Sequence, residues 1–393
     1  MNILLISHFQ LSNDLTSHRS VNFGKYLAEA GHHVTHISIS PNLRFKYRTG
    51  MFEGMKTIET PDLFWGRGRT GWDPWDTLFR IFKMNFNQMA HMDIVHGFEC
   101  RPVTIFPILF QKLRKKEIIF ISDWEDWWGR GGLIDENRPR WYRYSLGPVE
   151  TYFEEAFRTK ANGVTVISSA LEERAVKLGV NRKEICKIPG GVHIDLFKPI
   201  PMQEARDELG LSRQIKIAIF SAQVLIDLEL ILSAFSNVCQ SFPDSLLLLT
   251  GRNYELTIKL VQKYQLEDKV SVLGLVPINE FPTYLASADV CLLPFQNKIA
   301  NLGRWPNKVG EYMSIGRPIV SNPVGEIKKL FEKENIGLLA NDDPMDFAEK
   351  IIHLFENPGL CEEMGDNGRR VAEEQFAWPL IINKLEKFYH QYI

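Results

Sequence analysis

No stretch of this 393-residue chain runs for about eighteen apolar residues without interruption, so no helix is expected to span a membrane. The first residues, Met1-Asn2-Ile3-Leu4-Leu5-Ile6-Ser7, lack a basic leader and read as a buried strand rather than a signal peptide. Cysteine is scarce. The five present (Cys100, Cys186, Cys239, Cys291, Cys361) are scattered and odd in number, and none lies in a C-x-x-C pair. That argues for buried thiols in a reducing compartment, hence a cytoplasmic protein. Charge of one sign is not in excess either. The formal net charge is −2, whereas a chain built to bind nucleic acid is usually strongly basic. Internal repeats and low-complexity segments are absent.

What is present is an α/β pattern. The chain is long enough for two domains, and its 45% hydrophobic and 24% charged content is that of a globular protein. Strand-like runs at 3–7, 33–38, 93–96, 118–122 and 163–168 alternate with helical patterns at 18–30, 102–114 and 170–178. A short strand at 184–189 precedes Phe197-Lys198-Pro199-Ile200-Pro201, which reads as a linker. A second series then begins, with strands at 216–220, 246–250, 270–273, 290–294 and 319–322 and helices between, for example 228–240 and 345–356. Such alternation predicts two doubly wound parallel sheets with a cleft between them. The expected division is an N-terminal domain at 1–198, a C-terminal domain at 199–376 and a last helix, 377–393, packing back on the first domain.

The most telling segment is Pro306-Asn307-Lys308-Val309-Gly310-Glu311-Tyr312-Met313-Ser314-Ile315-Gly316-Arg317-Pro318-Ile319-Val320. Pro306 suits a helix start, Gly316 a helix stop, and Ile319-Val320 a buried strand. Asn307 and Lys308 fall in the first turn, where free N–H groups and the dipole favour an anion. Glu311 follows Lys308 on the same face. A phosphate on Lys308 and a hydroxylated ring on Glu311 would be the grip on a nucleotide sugar. The same spacing also describes an ordinary solvated ion pair.

Four segments, in order, resemble a known family. They are Gly31-His32-His33-Val34-Thr35; Ile188-Pro189-Gly190-Gly191-Val192-His193-Ile194-Asp195-Leu196-Phe197-Lys198-Pro199; Tyr284-Leu285-Ala286-Ser287-Ala288-Asp289-Val290-Cys291-Leu292-Leu293-Pro294; and the helix just described. Together they are similar to family 4 of the glycosyltransferases of GT-B fold, mostly retaining enzymes that use nucleotide sugars. The resemblance implies two Rossmann-like domains facing across a cleft, with the nucleotide against the second. It implies that Glu311 holds the ribose hydroxyls, that Lys308 lies near the diphosphate, and that the 274–277 segment, with Val276, meets the base. Asn307 and Arg304 would lie where the sugar and phosphates pass. There are departures. Gly303 stands where many relatives carry a Glu, and the 220–227 segment, with Gln223, lacks their Arg and Lys. Arg304, Lys308 and Arg252 are then the candidates for positive charge. The first loop, 13–20, lacks the usual glycine pair; within it His18, beside Ser17 and Arg19 at a helix start, could meet a phosphate or the donor sugar.

An acceptor region is expected at Ser122-Asp123-Trp124-Glu125-Asp126-Trp127-Trp128-Gly129-Arg130-Gly131-Gly132, after a strand of the first domain. Sugar rings could stack on Trp124, Trp127 and Trp128 while Glu125 accepts hydroxyl hydrogen bonds, and Asp123 or Asp126 could help take the acceptor proton. The tryptophans could equally be core anchors. A D-x-D-like metal reading of Asp123-Trp124-Glu125 is set aside, because two doubly wound halves do not suit that single-domain design. No metal is expected at any site, and no cofactor beyond the nucleoside diphosphate-sugar co-substrate. His96 reads as a core histidine. Residues 44–87 mix basic and aromatic side chains and could touch the inner face of an anionic membrane, or form a plain surface insertion.

The expectation is a transferase that moves a sugar from a nucleoside diphosphate-sugar to a hydroxyl of a glycan or lipid-linked acceptor. By the family resemblance it would do so with retention, Arg304 and Lys308 stabilising the leaving diphosphate. The alternatives are a non-catalytic nucleotide- or glycan-binding scaffold of the same fold and a nucleotide-sugar epimerase.

Overall fold

The computed structural model describes residues 1–11, 19–64, 70–82, 91–114, 118–222, 227–252 and 254–393. His18 and Gln223 therefore lie outside the described residues, as do parts of the 44–87 stretch. The chain forms two compact units. One comprises Met1–Gly190, Gly303–Trp305 and Trp378–Ile393, the other Gly191–Leu302 and Pro306–Ala377. Among the described residues no helix is long and apolar enough to cross a membrane.

The first unit is built on an eight-stranded sheet. Its strands are β1 (Asn2–Gln10), β2 (His33–Ser40), β3 (Arg48–Phe52), β4 (Met55–Pro61), β5 (Ile94–Phe98), β6 (Phe120–Trp124), β7 (Gly163–Val166) and β8 (Ile185–Lys187), in the order β3-β4-β2-β1-β5-β6-β7-β8. All pairings are parallel except β3 with β4, an antiparallel edge hairpin turning at Glu53 and Gly54. Successive strand residues point to opposite faces, and both faces are covered, so β1 reads as a continuous apolar run. Ile3 and Leu5 pack with Phe23, Leu27 and Ile94, and with Trp378, Ile381, Ile382, Leu385 and Phe388 of the helix Trp378–Tyr389. Leu4 and Ile6 pack on the other side with Ile37, Val95, Ile105 and Ile108. The helix Trp378–Tyr389 is thus a core element of the first unit, as its own apolar face requires.

The second unit is built on a six-stranded parallel sheet of β9 (Ile217–Ala222), β10 (Leu246–Gly251), β11 (Val270–Gly274), β12 (Val290–Leu293), β13 (Ile319–Ser321) and β14 (Gly337–Leu339). Its order is β11-β10-β9-β12-β13-β14. The helix Leu228–Ser241 carries the chain from β9 to β10, whereas the helix Asn307–Ile315 carries it from β12 to β13 in the opposite direction. That helix starts after Pro306 and stops at Gly316, whose φ of 74° is the left-handed conformation that a glycine adopts at little cost. Gly316 is also where the helix Pro358–Val371 comes closest, since a Cβ on Gly365 would overlap the Gly316 carbonyl.

Candidate functional site

In the second unit, β9 and β12 are neighbours whose connections leave in opposite directions, which opens a crevice beyond their carboxyl ends. Val276 follows β11, Arg252 follows β10, and Asn307 and Lys308 come after β12, so the order of four adjacent strands gathers these residues along one sheet edge. The carboxyl ends are braced. The Phe295 N–H donates to Asn322 Oδ1 (2.7 Å), and Ser321 Oγ donates to the Leu293 carbonyl (2.6 Å). On the helix Asn307–Ile315, Asn307 is exposed, Lys308 half-buried and Glu311 buried. The first-turn N–H groups and Lys308 suit an anion, and one turn further Glu311 can accept from hydroxyls. Gly310 lets the helix lie against Val192, whose Cβ would be 3.1 Å from a Cβ placed there. Arg252 is exposed and Val276 half-buried.

In the first unit, β6 runs two residues further than the sequence pattern suggests, and this changes the reading of two side chains. Asp123 and Trp124 belong to the strand and are fully buried. Asp123 accepts from Arg19 Nε at 3.1 and 3.0 Å and from Thr165 Oγ1 at 2.5 Å. It is the counter-ion of Arg19 rather than a base open to an acceptor. Trp124 donates from Nε1 to Glu154 Oε1 (2.9 Å) and to the Asp126 carbonyl (3.0 Å). The Arg158 and Arg174 guanidinium carbons lie 4.5 and 5.2 Å from its ring centroid. No face is left for a sugar, so Trp124 is a core anchor and not an acceptor platform.

The residues beyond β6 are differently placed. Glu125, Asp126, Trp127 and Trp128 are half-buried. Burial, followed by the charges of Asp126 and Asp123, raises the Glu125 carboxyl well above the usual carboxylate range. Asp126 faces Arg304 Nε at 3.5 Å, and Ser168 Oγ donates to the neighbouring Gly303 carbonyl (3.1 Å). Arg174 lies 4.2 Å over Trp127, and Arg101 5.0 Å over Trp128. One carboxylate gathers three donors from the end of β6 and this loop. Glu154 accepts from the Trp128 N–H (3.0 Å) and the Gly129 N–H as well as from Trp124.

Glu99 was not anticipated. It directly follows β5, is 4% exposed and has a φ of 61°, an uncommon conformation for a residue with a side chain. Its Oε1 accepts from the Glu125 N–H (3.1 Å), and Arg158 Nη2 lies 3.7 Å from Oε2. Burial lifts its carboxyl to about 7 despite the opposing pull of Arg158 and Arg101. The signal that could have found it is the one applied to 122–126, a carboxylate at a strand's carboxyl end. Glu154 and Arg174 carried no such signal.

His96 is a core histidine, as expected. Its Nδ1 lies 2.6 Å from the Tyr389 hydroxyl and its Nε2 3.0 Å from Thr165 Oγ1. Thr165 spends its only proton on Asp123, so Nε2 must donate and Nδ1 accept, which assigns the neutral tautomer from the network. Burial lowers the ring to about 4, in keeping with that form.

Residues 217–357 match the model of the family described as Glycosyl transferases group 1. The chain is 22% identical over 372 residues to N-acetyl-alpha-D-glucosaminyl L-malate synthase of Bacillus anthracis, covering 93% of this chain and 91% of that protein. Among solved structures it is similar to sucrose-phosphate synthase from Thermosynechococcus elongatus, with a TM-score of 0.74 at 19% identity over 100% of this chain and 99% of that one. It is also similar to Anabaena Alr3699/HepE in complex with UDP and glucose, with a TM-score of 0.71 at 15% identity over the whole of both chains.

Proposed function

We propose that this chain, whose fold is that of the GT-B glycosyltransferases, moves a sugar from a nucleoside diphosphate-sugar to a hydroxyl of a glycan or lipid-linked acceptor, with retention of configuration. The observation that carries the donor half is the start of the helix Asn307–Ile315, placed after β12 on the same sheet edge as Arg252 and Val276. Lys308 and the first-turn N–H groups neutralise the diphosphate as its charge grows in the transition state. Glu311 holds the ribose hydroxyls, Val276 borders the base, and Asn307 and Arg252 meet the sugar and phosphates. The bound UDP of the HepE structure supports the nucleotide part of this reading.

The acceptor half rests on Glu125, Asp126, Trp127 and Trp128. Trp127 and Trp128 offer aromatic surface beside two carboxylates, a chemistry suited to a hydroxylated ring. In a retaining transfer the departing phosphate is the nearest base for the acceptor proton, which leaves Asp126 as the partner of Arg304 rather than a base. Asp123 acts only through Arg19.

Calorimetry of UDP, GDP and ADP against the wild type, Lys308→Ala and Glu311→Ala tests the donor site. One diphosphate is expected to bind, and each variant to weaken it by about tenfold or more. Binding untouched by either substitution would move the nucleotide away from this helix. Nuclear magnetic resonance of the product reads the anomeric configuration, and an inverted product would overturn retention.

A further inference from the structure

Residues 138–152, Arg-Pro-Arg-Trp-Tyr-Arg-Tyr-Ser-Leu-Gly-Pro-Val-Glu-Thr-Tyr, form a surface that sugar transfer does not explain. The helix Arg140–Ser145 buries none of its residues. Trp141 is 65% exposed, Tyr144 76% and Tyr152 61%, with Leu146 and Val149 exposed beside them. Tyr142 turns toward the next helix, but Trp141 and Tyr144 are left in solvent, and exposed apolar patches of this kind ordinarily mark an interaction site. Trp141 and Tyr144 are three residues apart on one helix, and Val149 and Tyr152 three apart on the next, Gly147–Ala156. Tyr152 also meets Phe157 edge-on, and Phe157 meets the exposed Phe106, which extends the aromatic surface.

The charge pattern selects the occupant. Arg138, Arg140 and Arg143 stand among these side chains, and no carboxylate forms an ion pair with any of them among the described residues. Arg143 Nε donates to the Arg138 carbonyl (2.9 Å), and the Arg138 guanidinium carbon lies 5.4 Å from the Tyr142 ring centroid. The one acid within the segment, Glu150, is turned inward and accepts from the Tyr142 hydroxyl. In the 44–87 stretch, by contrast, Arg48 is bound to Glu59 and Arg80 is buried against Asp76, so those charges are spent within the fold. A second copy of the chain docking on this surface through a two-fold axis would set arginine against arginine. A layer of phosphate groups over an apolar interior answers both features, since tryptophan and tyrosine settle at the headgroup level and arginine pairs with phosphate.

We propose that 138–152 docks the chain onto anionic phospholipid bilayers. The test is co-sedimentation of the full chain with vesicles of phosphatidylcholine alone and of phosphatidylcholine mixed with phosphatidylglycerol. The comparison proteins are Trp141→Ala/Tyr144→Ala and Arg140→Glu/Arg143→Glu. Binding to the anionic vesicles only is expected, weakened by raised salt and lowered at least about tenfold in each double variant. Arg140, Trp141, Arg143 and Tyr144 are all exposed, so both variants should keep the wild-type melting curve, and the arginine pair serves if the aromatic pair does not. Failure to sediment with anionic vesicles would overturn the proposal. So would sedimentation indifferent to both variants, or a dimer in solution that the Trp141→Ala/Tyr144→Ala variant abolishes without any vesicle binding. Donor calorimetry on the same proteins keeps this outcome separate from that of the sugar-transfer reading.

Discussion

Arg19 reaches both carboxylate oxygens of Asp123 from a single nitrogen, at 3.1 and 3.0 Å, in a closed part of the first unit. Arg19 Nη1 also donates to the Pro189 carbonyl (3.1 Å), so this pair joins the start of the first helix, β6 and the segment after β8. A buried pair of this kind is costly to break from one side only. Asp123→Ala is expected to lower stability by roughly 3–5 kcal/mol in urea unfolding, and Arg19→Met/Asp123→Leu to recover much of that loss. Unchanged stability with transfer abolished would return Asp123 to a direct chemical role.

Glu99 and His96 should oppose each other as pH changes. A glutamate in the unfolded chain titrates near about 4.3. Folded, Glu99 titrates at about 7, so its contribution is full below the unfolded value and is lost as pH rises through the folded one. His96 is lowered to about 4, so its contribution is present above the unfolded value, about 6.5, and is lost as pH falls through the folded one. Relative to wild type, Glu99→Gln should therefore gain stability by about 3 kcal/mol between roughly pH 4 and pH 7. Urea midpoints across that range measure the gain, and a constant offset would count against the enclosed carboxyl.

The contact between Gly316 and Gly365 predicts an order of severity. Gly316→Ala meets only ordinary contacts but must hold a left-handed φ, at a cost of about 1 kcal/mol. Gly365→Ala drives a methyl into the Gly316 carbonyl and should cost more, roughly 1–3 kcal/mol from overpacking alone. Thermal melts of the two variants decide it, and the reverse order would mean that the two helices can separate freely.

Sugar transfer should withstand chelation. If Lys308 and the helix start carry the leaving charge, EDTA leaves the rate unchanged. Loss of activity that magnesium or manganese restores would show that a cation shares the work.

The alternation of strands and helices was legible because parallel strands covered on both faces are short apolar runs, and because Pro306 and Gly316 mark their helix chemically. The placement of Arg252, Val276 and Lys308 followed from the order of strands and needed no knowledge of side-chain contacts. The hairpin of β3 and β4 was not legible, since Glu53-Gly54 is a weak turn signal and β3 is exposed. Nor was the true end of β5. The polar His96 and the small Gly97 interrupt its pattern, hiding that the strand runs to Phe98 and presents Glu99. Trp124 was misplaced for a different reason. Its burial depends on Glu154, Arg158 and Arg174, distant in sequence, and no local rule reports such partners.

The helix Trp378–Tyr389 has a further meaning in time. A ribosome delivers β1 well before this helix, which follows only after the whole second unit has been made. Until then Ile3, Leu5 and Phe23 lack the apolar cover that Leu385 and Phe388 bring, and His96 lacks the Tyr389 hydroxyl. The second unit can close as soon as its residues emerge, whereas the first must wait until the helix Trp378–Tyr389 has been made. Its uncovered sheet face is then the natural place for a chaperone to hold the nascent chain.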